Sequence, residues 1–155
     1  MLDLRWLTEL LDSIENGIRT TKGADLRAIY KDNDKRYPSQ GRHRRYLDEA
    51  RLRLGGLKSL QGSPIIRPHM LASMTLAALH LRHKISAFTP LFKVERTQNT
   101  NFDRYVETLR LLARAIEQKE DRGALASVVL ASTEGTNVKK ARQIRFKYFC
   151  KVFSS

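Results

Sequence analysis

"PHMLASMTLAALHLRHKISAF", residues 68–88, carries Met70, Leu71, Met74, Leu76, Leu79, Leu81, Ile85 and Phe88 around most of a helical circumference. A surface helix shows one apolar stripe, whereas a helix apolar on nearly all sides needs neighbours on nearly all sides and belongs at the centre of a bundle. Pro68 suits the first turn, where its missing N–H satisfies nothing and its fixed φ already matches the helix. The spacing therefore predicts a central helix near 68–88, ended by Pro90. Its uncharged core, Met70 to Leu81, is twelve residues long, against roughly 20 for a membrane span. No membrane partner is expected.

Working outward, residues 1–20 place Leu4, Leu7, Leu11, Ile14 and Ile18 at spacings of three and four, one face of a helix widened by Trp6 and Leu10. Asp3, Glu9, Asp12 and Glu15 outnumber Arg5 and Arg19, which makes this the one acidic piece of the chain. A short helix around Leu26–Lys31 precedes a turn at "RYPSQG", and Gly55-Gly56 reads as a helix stop. Downstream of the central helix, Phe102, Tyr105, Val106, Leu109, Leu112, Ala113 and Ile116 share one arc, capped by Thr100 or Asn101. The opposite side mixes Arg110, Arg114 and Lys119 with Glu107 and Glu117, a balanced solvent face. A shorter helix at about Arg122–Ala131 and a last helix over 138–152 complete the pattern, with no repeat and no β-alternation. The expectation is an all-α fold over residues 1–155: one compact helical-bundle domain of about six or seven helices.

Charge is the informative quantity. The 155 residues carry 29 Lys and Arg against 16 Asp and Glu, a formal +13, where a small soluble domain usually stays within about 2 to 8. Eighteen of the basic residues are arginines, whose planar fork grips phosphate with two bonds at once. The excess concentrates in two helices. "GRHRRYLDEARLR", residues 41–53, lies in a basic helix over 41–54 and holds six Arg or His among thirteen residues. Its Tyr46, Leu47, Ala50 and Leu54 take one side with His43, and Arg42, Arg44, Arg45, Arg51 and Arg53 cover the rest; Lys58 follows, and Lys35 and Arg36 precede. Asp48 lies a turn from Arg44 and Arg51, and Glu49 a turn from Arg45 and Arg53, so the two acids compensate only part of the charge. The last helix carries Lys139, Lys140, Arg142, Arg145, Lys147 and Lys151, with only Glu134 in opposition over residues 123–155. Here Lys140, Lys147 and Lys151 share a side, whereas Arg142 and Arg145 project near Val138, Phe149 and Phe153. Phe146 and Tyr148 widen that apolar side, which reads first as core, with base stacking or docking on a second subunit as alternatives.

Chemistry is absent from the pattern. "HLRH" puts His80 and His83 three apart on a helix, but no carboxylate is near them in sequence, and His43 and His69 are scattered. The acids Glu117, Glu120 and Asp121 alternate with Lys119 and Arg122 and read as a helix-end surface. There is no Walker loop, GxGxxG, HExxH or GxSxG. Cys150 is the only cysteine, which excludes an intrachain disulfide and suits a reducing interior; "MLDLRWLTEL" does not read as a secretory signal. The expected protein is intracellular, cytoplasmic and non-enzymatic, with no cofactor or metal.

Its expected partner is RNA or DNA, held by the phosphates with little sequence reading, through Arg42, Arg44, Arg45, Arg51, Arg53 and Lys58, and through Lys139, Lys140, Arg142, Lys147 and Lys151. In size, helicity and basic balance, though in no residue motif, the chain resembles the small helical subunits of RNA-guided CRISPR effector complexes. That resemblance implies a place in an antiviral ribonucleoprotein, along the path of guide and target strands. The same features suit a small viral nucleocapsid or accessory protein. The other class is a protein-interaction module, whose basic surface meets an acidic protein or a neighbouring copy of the chain.

Overall fold

Every regular element of the described residues is helical. The structure, a computed structural model, describes residues 4–20, 23–33, 39–98, 100–120 and 122–155. Asp3, Lys22, Lys35, Arg36, Asp121 and part of the "RYPSQG" turn lie outside them, as do the side chains of Leu4, Arg5, Trp6, Leu26 and Leu54. Among the described residues seven α-helices follow one another: α1 (Leu4–Asn16), α2 (Gly23–Asn33), α3 (Gln40–Leu54), α4 (Pro68–His83), α5 (Val106–Glu117), α6 (Ala126–Thr133) and α7 (Lys139–Ser154). Four short 3-10 turns join them, at Gly55–Leu60, Pro64–Ile66, Ser86–Phe88 and Phe102–Tyr105. The chain is an all-α helical bundle.

α4 stands at its centre because no side of it is fit for water. Met70 and every residue from Ala72 to Leu81 are buried, with α7, α1 and α3 packed around it. The 3-10 turn Pro64–Ile66 leads into α4 and also packs against α5, and α6 lies between α5 and α7. Among the described residues no helix is long and apolar enough to cross a membrane. The aromatic residues of α7 are core: Phe146, Phe149 and Phe153 are fully buried. Phe146 meets Phe88 at 4.9 Å between ring centroids and His80 at 5.7 Å. Phe153 meets Phe102 at 5.0 Å, and Tyr105 donates its hydroxyl to the Phe153 carbonyl at 3.0 Å. Base stacking by these rings is thereby ruled out. Tyr148 alone of the set is half-buried.

Several boundaries differ from the sequence reading, each for a local reason. α4 stops at His83, five residues short of Phe88, because Lys84 turns left-handed (φ 48) and its N–H caps the His80 carbonyl. Ile85 and Phe88 still enter the core, which is why their spacing mimicked a longer helix. Gly55 ends α3, yet the chain continues as a 3-10 turn that buries Leu57 and Leu60. Asn101 is the cap, its side chain accepting from the Asp103 N–H, but it opens a 3-10 turn before α5 and not α5 itself. α6 begins at Ala126, four residues later than expected, after Gly123 takes φ 82. Asp12, one of the acids of the first segment, is buried: it accepts from Arg19 Nε at 2.9 Å and Nη2 at 2.6 Å, and from Asn16 at 2.8 Å.

Candidate nucleic-acid interface

α3 lies with Ala50 and His43 inward and Tyr46 and Leu47 half-buried. Burying one side of so basic a helix turns its remaining residues outward as a set. Arg44, Arg45 and Arg51 are exposed, and among the described residues none of the three has a carboxylate within 4.0 Å. Lys58 is exposed on the turn that follows. Leu52, 77% exposed, stands on this same face.

The other two arginines of α3 have structural work. Arg53 donates to the Thr100 carbonyl at 2.7 Å and to Glu49, so it clamps α3 to the segment entering the Phe102–Tyr105 turn. Its side chain is only 9% exposed, which removes it from the candidate surface. Glu49 also meets His83 Nε2 at 2.6 Å and Arg82 at 3.9 Å, closing the α3–α4 junction. Burial opposes the charge of Glu49, but the hydrogen bonds from His83 and Arg53 outweigh it and lower its pKa. Arg42 is exposed but pairs with Glu15 of α1 and touches Ser39. Glu15, whose Oε1 also lies 2.6 Å from His43 Nε2, is likewise lowered: burial opposes, and the Arg42 and Ser39 hydrogen bonds win.

On α7 the lysines and arginines separate. Lys139, Lys140, Lys147 and Lys151 are exposed, the last three within one arc at 100° per residue. Arg142, expected beside them, is 6% exposed; it donates to the Arg19 carbonyl at 2.5 Å and to Ser13 Oγ at 2.8 Å. It fastens α7 to α1 and is not a surface contact. Arg145, 1% exposed, donates to Ser73 Oγ at 3.2 Å, to the Thr136 carbonyl at 2.7 Å and to the Ala131 carbonyl. Burial, and after it the neighbouring Arg142, push its pKa down to about 10. It remains a cation at neutral pH.

α3 and α7 both lean on α4 without packing substantially on each other, so each presents its exposed cations from its own side of that contact. No family model, curated protein or solved structure matches the chain. Charge and geometry therefore carry the functional reading.

The histidines divide as neutral core groups and one junction group. His80 is buried with Nε2 at 2.7 Å from the Phe92 carbonyl, while His83, a turn later, faces Glu49, so "HLRH" does not converge on a point. Among the described residues no three His, Cys, Asp or Glu side chains gather as metal ligands. Cys150 is buried, and burial pushes its thiol pKa up. His69 meets the Ser132 carbonyl at 3.2 Å; burial, then Arg145, lower its pKa to about 4. Burial lowers His43 and His80 as well.

Because the unfolded chain takes up these protons near the ordinary histidine value of 6.5 and the folded chain resists, stability declines as pH falls from about 6.5. The share owed to His69 is exhausted near its folded pKa of about 4. His69→Gln, which cannot be protonated, should flatten that decline in urea melts at stepped pH. An unchanged slope would show that His69 does not take part.

Proposed function

We propose that this protein binds RNA or single-stranded DNA through the phosphate backbone, with the outward face of α3 as the primary contact. The observation that carries this reading is the trio Arg44, Arg45 and Arg51, exposed together with no carboxylate in ion-pair range among the described residues, on a chain of net +13. Uncompensated guanidiniums on one face repel one another and lower the stability of the compact state unless an anionic partner arrives. Their planar forks suit phosphate oxygens. Asp48 is exposed near them and leaves the trio net positive. Lys58 extends the contact; Lys139, Lys140, Lys147 and Lys151 supply a second one. Two basic groups on one small bundle suit a subunit that bridges strands inside a larger nucleoprotein assembly, of which an RNA-guided CRISPR effector complex is one kind.

A second reading draws on Leu52. A large apolar side chain, 77% exposed among arginines, is also what a protein interface with an acidic partner or a second copy would use. One experiment separates the two. Arg44→Glu, Arg45→Glu and Arg51→Glu combined should weaken fluorescence-polarisation binding of a single-stranded 20-mer by about tenfold or more, since hydrogen bonds to charged groups each contribute about 1.5–3 kcal/mol. Sedimentation should show the same oligomeric state as the unaltered chain. Lost assembly with unchanged RNA affinity would assign the face to protein instead.

A further inference from the structure

Residues 123–133, which contain α6, hold no charged side chain, on a chain in which 29% of residues are charged. A helix that meets water along one side ordinarily places charge there. α6 instead turns Ser127, Leu130 and Thr133 outward, and Leu130 is 56% exposed. Beside them lies a groove of about 540 Å³ with Ala126, Val129 and Leu130 in its lining, room enough for whole side chains. Its charged residues are Glu120 and Glu134 against Lys119, which makes the lining net negative by one on a chain of net +13. Glu134 stands at the C-terminal end of α6, where the helix dipole is already negative and an acid is disfavoured. Among the described residues it has no cation within 4.0 Å. A few residues on, Val138 is 46% exposed and the exposed Lys139 opens α7, at a helix end where a cation is disfavoured in turn. At 100° per residue Lys139 falls outside the arc shared by Lys140, Lys147 and Lys151. Val138 adjoins the groove without lining it: the Glu134 N–H donates to the Leu130 carbonyl and the Val138 N–H to the Gly135 carbonyl, both at 2.9 Å, so successive turns keep groove and valine on one surface.

We propose that two copies of this chain pair about a two-fold axis at this surface, Val138 of each entering the groove of the other beside Leu130, and Lys139 of each meeting Glu134 of the other. A two-fold interface must be self-complementary, so one patch has to carry both the receiving and the entering half. Here an apolar groove with an uncompensated acid adjoins an exposed valine with a cation beside it. The pairing gives Glu134 and Lys139 the opposite charge that each lacks at the helix end where it stands. It uses none of Arg44, Arg45, Arg51, Lys140, Lys147 and Lys151, and so stands apart from the nucleic-acid reading.

The test is sedimentation equilibrium of the full chain from about 1 to about 300 µM, a span that brackets the dissociation constant of about 1–100 µM expected for a small interface. The mean mass should rise from the 17.9 kDa of one chain toward twice that. Glu134→Lys sets lysine against lysine twice across the axis and should weaken pairing by about tenfold or more, and Lys139→Glu should do the same with acid against acid. The two together restore opposite charges and should return the affinity to within about threefold of the unaltered chain. Leu130→Ser, at an exposed position, should weaken pairing by about tenfold or more while leaving the thermal melt of the dilute chain unchanged. The Arg44→Glu, Arg45→Glu, Arg51→Glu variant should pair as the unaltered chain does. A mass of 17.9 kDa at every concentration overturns the proposal and leaves the groove to a different protein. Pairing that survives Leu130→Ser or either single charge reversal overturns it too, as does a combined variant that stays monomeric or an α3 variant that no longer pairs. Polarisation with RNA, run on the dilute chain, reads the nucleic-acid function separately, so the failure of one reading is visible apart from the other.

Discussion

Affinity for single-stranded RNA should fall steeply with salt, and the steepness should reveal how many of the exposed cations act. Each neutralised phosphate contributes about 0.7 to 0.9 to the slope of log affinity against log salt. If Arg44, Arg45, Arg51 and Lys58 act alone, raising salt from about 50 to about 200 mM weakens binding by about 50- to 150-fold. Recruitment of Lys139, Lys140, Lys147 and Lys151 as well would make the loss about three to four powers of ten. The same titration on the triple α3 variant should lower the slope by about two to three. A slope near zero for the unaltered chain would remove phosphate binding as its function. Arg53 and Arg142 are excluded from these sums because their guanidiniums are occupied by Thr100 and Glu49, and by Arg19 and Ser13.

Phe146→Ala should be the most damaging single change in the core, lowering stability by about 3–5 kcal/mol. Phe146 is fully buried and touches the rings of both Phe88 and His80, so its loss opens a void where α7 meets α4 and the Ser86–Phe88 turn. For a chain of this length the melting temperature should drop by about 6–20 °C. Leu52→Ser provides the contrast. At 77% exposed, Leu52 should lose under about 0.5 kcal/mol on replacement. Comparable losses would mean that a helix is turned differently about its axis, α3 if Leu52 costs as much as a core residue and α7 if Phe146 costs as little as a surface one.

The central helix, the inward arc of α5 and the all-α class were legible because burial writes a 3.6-residue period into the sequence. Where the period continued without the helix, as at Ile85 and Phe88, the left-handed turn at Lys84 left no sequence signal, since lysine is not a residue that favours it. The exposed trio of α3 was legible in kind, but its separation from Arg42 and Arg53 was only partly so. Glu49 sits four residues before Arg53 and signals that pair, whereas Glu15 lies 27 residues from Arg42 and cannot be foreseen from spacing. On α7 a usable signal existed: Arg142 and Arg145 fall on the apolar side of the wheel, which points to burial before phosphate contact. What spacing could not supply were the neutral oxygens that receive them, carried by Arg19, Ser13, Ala131 and Thr136 on other segments.

The closeness of α4 and α7 also bears on how the chain reaches its shape. Residues 84 to 138 lie between the two helices, and a ribosome adding about 5–20 residues per second needs roughly 3 to 11 s to make them. Throughout that interval the most apolar segment has emerged without the phenylalanines that will cover it. The nascent protein must therefore hold α4 against α1, α3 and the Pro64–Ile66 turn, with one flank open to misassociation. Synonymous slowing of translation between Lys84 and Lys139 should raise the aggregated fraction.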